Sequence, residues 1–115
     1  MSRFTAAVVL ASVSVFVAGC SNSAPKCSDK KTADLVYEIA KREYSKVFPG
    51  KAIDGISFRL DSIRTTAIDD KTGAQSCAAQ LVLKGPNGEL PLDITYKSEM
   101  TDKGSQYVTV WGLMQ

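Results

Sequence analysis

Histidine is missing from this chain entirely, and its absence removes the side chain on which Ser-His-Asp and Cys-His catalytic arrangements depend. A tetrahedral zinc site would also need carboxylates to complete its shell, because only three cysteines are present. There is no C-x-x-C pair and no glycine-rich phosphate loop; Gly85-Pro86-Asn87-Gly88 lacks the lysine and the helix that such a loop requires. Charge of one sign is lacking too. Fourteen Lys and Arg stand against twelve Asp and Glu, scattered along the chain without the basic stripe that nucleic-acid binding would leave. These absences leave no catalytic residues, no cofactor and no metal to assign, and they direct attention to binding.

The one long apolar run is at the start. Met1-Ser2-Arg3 supplies a positive charge, and Phe4 to Ala18 follows with no charge, the n-region and h-region of a secretory signal peptide. A membrane-spanning helix needs about 20 apolar residues, and this run is shorter and ends in Gly-Cys-Ser-Asn-Ser. Val17-Ala18-Gly19-Cys20 resembles the lipobox of bacterial lipoproteins. The resemblance implies cleavage before Cys20, a diacylglyceryl group on its thiol and an anchor in the bacterial cell envelope. Ser21 in place of Asp points to the outer membrane of a Gram-negative cell, with the domain facing the periplasm. On this reading residues 1–19 are the signal peptide, 20–26 a lipidated end and short flexible tether, and 27–115 one folded domain. The six residues Ser21 to Lys26 reach at most about 20 Å when extended, so a protein partner is expected close to the membrane.

With Cys20 taken by lipid, Cys27 and Cys77 remain in an oxidising compartment, where an even number reads as a disulfide. Closing the loop of about 50 residues between them is worth about 4 kcal/mol in the chain-entropy model, a large share of a small domain's net stability.

Apolar residues recur at helical spacing through Val36, Ile39, Ala40, Tyr44, Val47 and Phe48, which predicts a helix from Ser28 to Phe48. Ser28 or Asp29 is its N-cap, and Pro49-Gly50 its stop. From Ile56 onward the pattern alternates. Ile56, Phe58 and Leu60 share one parity and Ile63, Thr65 and Ala67 the other, so a bulge at Asp61-Ser62 is expected to keep both runs on the core. Asp69-Asp70-Lys71-Thr72-Gly73 reads as a hairpin loop rather than a catalytic carboxylate pair. A second strand carries Cys77, Ala79, Leu81 and Leu83, a third Leu90, Leu92, Ile94 and Tyr96, and a fourth runs from Tyr107 to Leu113.

The fold class is therefore α+β, one helix covering the apolar face of a four-stranded antiparallel meander. Its element order resembles cystatin-like and nuclear-transport-factor-like folds, which host inhibitors, enzymes and assembly modules. Five residues stand out for binding. Arg59, Asp61 and Arg64 cluster near the bulge or form a solvated outer face. Tyr107 and Trp111 are of the type enriched in interfaces, although Trp111 reads first as a core anchor. The expected function is a non-enzymatic lipoprotein whose stapled domain binds another envelope macromolecule, as an inhibitor, immunity or exclusion factor. The alternative is a structural accessory subunit of an envelope assembly.

Overall fold

The computed structural model describes residues 23–114; the expected signal peptide, the lipobox and Cys20 lie outside the described residues. The elements are α1 (Lys30–Tyr44), a 3-10 segment (Gly50–Gly55), β1 (Ser57–Ile68), β2 (Gln75–Gly85), β3 (Gly88–Met100) and β4 (Gln106–Trp111). The strands form one antiparallel sheet in the order β1-β2-β3-β4, and α1 packs on one face of it. Among the described residues no helix is long and apolar enough to cross a membrane.

Asp29 caps α1, its carboxylate accepting from the Lys31 N–H at 2.9 Å, which satisfies one of the donors a first turn leaves open. Thr32, Val36, Ala40 and Tyr44 are buried at every fourth position and form the stripe that meets the sheet. The helix ends four residues earlier than expected. Ser45 turns its hydroxyl back to the Arg42 carbonyl at 2.7 Å, and the N–H groups of both Val47 and Phe48 converge on the Tyr44 carbonyl. Pro49 also disfavours a helical Phe48. The tightened turn keeps Phe48 against the Tyr44 ring, with centroids 6.2 Å apart, and turns Val47 out to 59% exposure, so Val47 leaves the predicted stripe.

The parity change in β1 is a bulge. Asp61 pairs with Gln80 and Arg64 with Ala78, so one extra residue is accommodated, and Ser62 takes a φ of 56° to do it. Ile63 thereby packs against the core beside Phe58 and Leu60. A second shift, between Thr65 and Ala67, was not expected. The core-facing run ends after Ile63: Thr65, opposite Cys77 and ahead of this shift, and Ala67 beyond it are both exposed. The Thr66 hydroxyl, donating to the Ser76 carbonyl at 3.1 Å, satisfies an acceptor at this irregular stretch. In β3, Ile94 and Tyr96 are buried as the alternation requires, but Leu90 is 54% exposed because the strand begins beyond the reach of the helix.

Cys27 and Cys77 form the disulfide, with Cα atoms 5.8 Å apart. Around it the chain ahead of α1 is docked rather than free. Tyr96 donates its hydroxyl to the Cys27 carbonyl at 3.0 Å, Ser98 donates to the Pro25 carbonyl at 2.9 Å, and Ala24 is buried. The stretch read as tether is thus part of the domain from Ala24 onward. Cys77, Tyr96 and Ser98 all project to the helix side of the sheet, so the chain enters the domain on that side. Burial, and then the neighbouring Tyr37, push the Tyr96 phenol up to about 12. Gln106 completes the junction: its amide donates to Thr32 Oγ1 and to Ser98 Oγ, both at 2.9 Å, and those two hydroxyls are wholly buried.

Candidate functional site: the uncovered face and free edge of the sheet

Alternation assigns every strand residue to one of two faces. Phe58, Leu60, Cys77, Ala79, Leu81, Leu83, Ile94, Tyr96, Val108 and Val110 meet α1 or the residues around it. Among the described residues the opposite face has no helix over it. Its rows follow from the register: Arg59, Val82 and Pro91 in one, Asp61, Gln80 and Asp93 in the next, and Arg64, Ala78, Thr95 and Trp111 in a third that crosses all four strands. Tyr107 lies opposite Glu99 on the same face. All five residues singled out in the sequence therefore share one surface. They do not form one cluster, because three strand spacings of about 4.8 Å separate Arg64 from Trp111.

The two sides of this face differ in chemistry. On the β1 side the charges are already paired. Arg59 Nε donates to both Asp61 carboxylate oxygens at 3.0 and 3.2 Å, and its Nη1 lies 3.5 Å from Glu89. Hydrogen bonding to Asp61 first and to Glu89 second holds the guanidinium above its ordinary range. Arg64 turns back to the Ser62 carbonyl at 2.7 Å. These exposed pairs are worth little in stability, and they leave the β1 side electrostatically satisfied.

On the β4 side the strand's own large exposed groups are aromatic, next to a Lys97–Glu99 ion pair on β3. Tyr107 is 58% and Trp111 52% exposed, and among the described residues neither the phenol nor the indole N–H has a hydrogen-bond partner. The reading of Trp111 as a core anchor is corrected: Val108 and Val110 occupy the core parity of β4, so residues 107, 109 and 111 must face outward. Along the same strand runs an open groove of about 490 Å³, lined by Ile39, Arg42 and Glu43 from α1 and by residues of both faces of β4, Tyr107 and Trp111 among them. β4 is the last strand of the sheet, and among the described residues no further strand pairs with its outer edge.

Two site features escaped the sequence reading. Glu89 as the second partner of Arg59 depends on the register between strands. Gln106 and Ser98 were legible in principle, because each is a polar residue at core parity, Ser98 after Leu92-Ile94-Tyr96 and Gln106 before Val108-Val110. A polar side chain in that position implies a buried hydrogen bond. Among the described residues no group of three or more His, Cys, Asp or Glu side chains is placed to hold a metal ion.

No protein-family model matches the chain, and neither a curated protein nor a solved structure matches it.

Proposed function

We propose that this chain is a lipid-anchored protein of the bacterial cell envelope that acts by binding another envelope macromolecule through the uncovered face of its sheet. The observation that carries the reading is the pair of half-exposed aromatics, Tyr107 and Trp111, on a face that the domain's own helix leaves open. Aromatic side chains of this kind dominate binding energy at protein interfaces, and a broad sheet face suits a macromolecular surface better than a small ligand, which calls for a concave site. The anchor is Cys20, in the lipobox-like Val17-Ala18-Gly19-Cys20, and two or more acyl chains are enough for stable attachment. Three residues separate Cys20 from the docked Ala24, a reach of about 10 Å. The domain then sits against the bilayer with its helix side nearer the anchor and the aromatic face directed away, toward the periplasm. A factor that blocks an incoming or neighbouring molecule at the membrane, as an inhibitor, immunity or exclusion protein does, fits that placement.

A photoreactive residue in place of Thr95, in the middle of the face, tests the binding reading. In the full chain expressed in a bacterial envelope it should trap a second envelope macromolecule, and the same group in place of Glu38 on α1 should not. Cys20→Ser should release the chain from the membrane fraction or leave an unprocessed precursor. Equal trapping from both positions, or none, would refute the binding face; a processed, membrane-bound Cys20→Ser protein would refute the anchor.

A further inference from the structure

We propose that β4 pairs with β4 of a second copy of this chain, antiparallel and centred on Thr109, to make a continuous eight-stranded sheet. The inference goes beyond the binding reading: the pairing stands on the free edge, and its strength in the envelope rests on the anchor proposed above. A strand edge in solution is a template for another strand, and proteins normally guard it with charges, proline, bulges or a covering element. β4 itself carries none of the first three, and α1 lines a groove along it without filling it. From Ser105 to Gln115 there is no charged side chain and no proline, and the register of β4 with β3 is unbroken from Gln106 to Trp111.

The sequence of β4 is also complementary to itself. Antiparallel pairing about Thr109 sets Thr109 opposite Thr109, Val108 opposite Val110 and Tyr107 opposite Trp111, with each pair repeated by the two-fold axis. On one face two valine pairs meet, and on the other two aromatic pairs flank a threonine pair; cross-strand aromatic and Thr-Thr pairs are both stabilising. No like charges face each other. The backbone fits as well. Thr101 N–H donates to the Ser105 carbonyl at 2.7 Å, and alternation from that pair turns the N–H and C=O of 107, 109 and 111 toward β3. Those of Gln106, Val108 and Val110 point to the open edge. The groove beside α1 leaves room for the helix-side residues of an added strand.

The geometry suits two anchors in one bilayer. A β4-to-β4 pair has its two-fold axis perpendicular to the sheet, and two copies anchored in the same membrane must be related by an axis along its normal. The sheet then lies flat, with the helix side of both copies toward the lipid and all four aromatics together at the centre of the outer face. β4 is only six residues long, so the contact falls below the area of a standard stable interface, about 1,600 Å². The dimer is therefore weak in dilute solution and favoured where anchoring raises the local concentration.

Thr109→Cys provides the test. Facing residues of a pair that is not hydrogen-bonded have Cα atoms about 4.5 Å apart, within the range a disulfide spans. Mild oxidation of the full chain in its bacterial envelope should yield a disulfide-linked homodimer from Thr109→Cys, and several-fold less from Arg64→Cys on the β1 edge. In parallel, sedimentation of the full chain in detergent should show a concentration-dependent dimer that Thr109→Lys abolishes by setting like charges face to face. Cooperative unfolding of each variant establishes that it is folded. The emission of Trp111, the only tryptophan, should shift to the blue with concentration in the parent chain and not in Thr109→Lys. Cross-linking no greater than from Arg64→Cys, a Thr109→Cys adduct with a different protein, or a dimer that survives Thr109→Lys would each overturn the proposal.

Discussion

At one edge of the sheet β1 carries Arg59, Asp61 and Arg64, two register shifts and a serine with a φ of 56°; at the other, β4 carries two exposed aromatics and no charge. The helix adds to the contrast. Tyr37 of α1 accepts a hydrogen bond from the Leu60 N–H at 3.0 Å, so a donor of β1 is capped from within the domain. Even the part of β3 that β4 does not reach, before Thr95, has Pro91, which removes a donor there. Every free stretch of this sheet is thus blunted except β4. A domain that guards two of its three exposed ladders by distinct devices and leaves the third flat and apolar has that strand available for a partner.

The comparison can be broken most severely through the disulfide. Replacing both Cys27 and Cys77 with alanine should lower stability by about 4 kcal/mol, read from urea unfolding. Because the docked arm of residues 24–27 shares Ser98 with Gln106, amide exchange should rise first in β3 and β4 and last in β1. Uniform loss of protection across the sheet would show that the two edges do not differ in this way.

A smaller change acts on β4 alone. Gln106→Leu should cost about 2 kcal/mol, because it strips the buried Thr32 and Ser98 hydroxyls of the amide that links them, and an unsatisfied buried polar group costs about 1–3 kcal/mol. Hydrogen exchange should quicken at Val108 and Val110 while Phe58 and Leu60 stay protected. Unchanged stability would mean that the Gln106 amide is not what seats β4 on the helix.

The smallest effect is on the guarded edge, and its sign is opposite. Ser62→Gly should raise stability by up to about 1 kcal/mol, since a left-handed backbone costs a side-chain-bearing residue about 1–2 kcal/mol and glycine almost nothing, less the entropy glycine loses on folding. The bulge and the Asp61-Gln80 and Arg64-Ala78 pairings should persist in the variant. A loss of stability would indicate that the serine side chain, and not only the backbone, holds the bulge.

Much of this molecule was legible in one dimension because its signals are periodic or local. Helical spacing marked α1, Asp29 its cap, a parity change the bulge at Asp61-Ser62, Gly73 the hairpin turn with its φ of 75°, and two cysteines the disulfide. The misses share a different cause. Whether Val47 is inside depends on how the backbone turns after Ser45, and whether Trp111 is inside depends on which parity of β4 meets the helix; hydrophobicity alone assigned both to the core. The pairing of Arg59 with Glu89 and the seat of Gln106 between Thr32 and Ser98 join residues 30 and 74 positions apart, and only the packing of α1 and the strand register brings them together. The sequence by itself determined the elements, their order and the disulfide, because propensity, periodicity and turn chemistry act over a few neighbouring residues. Tertiary structure decided which face of each strand is open, that five separately chosen residues share one surface, and that of two edge strands only β4 is left bare, because those properties belong to the register between strands and to where a single helix can reach.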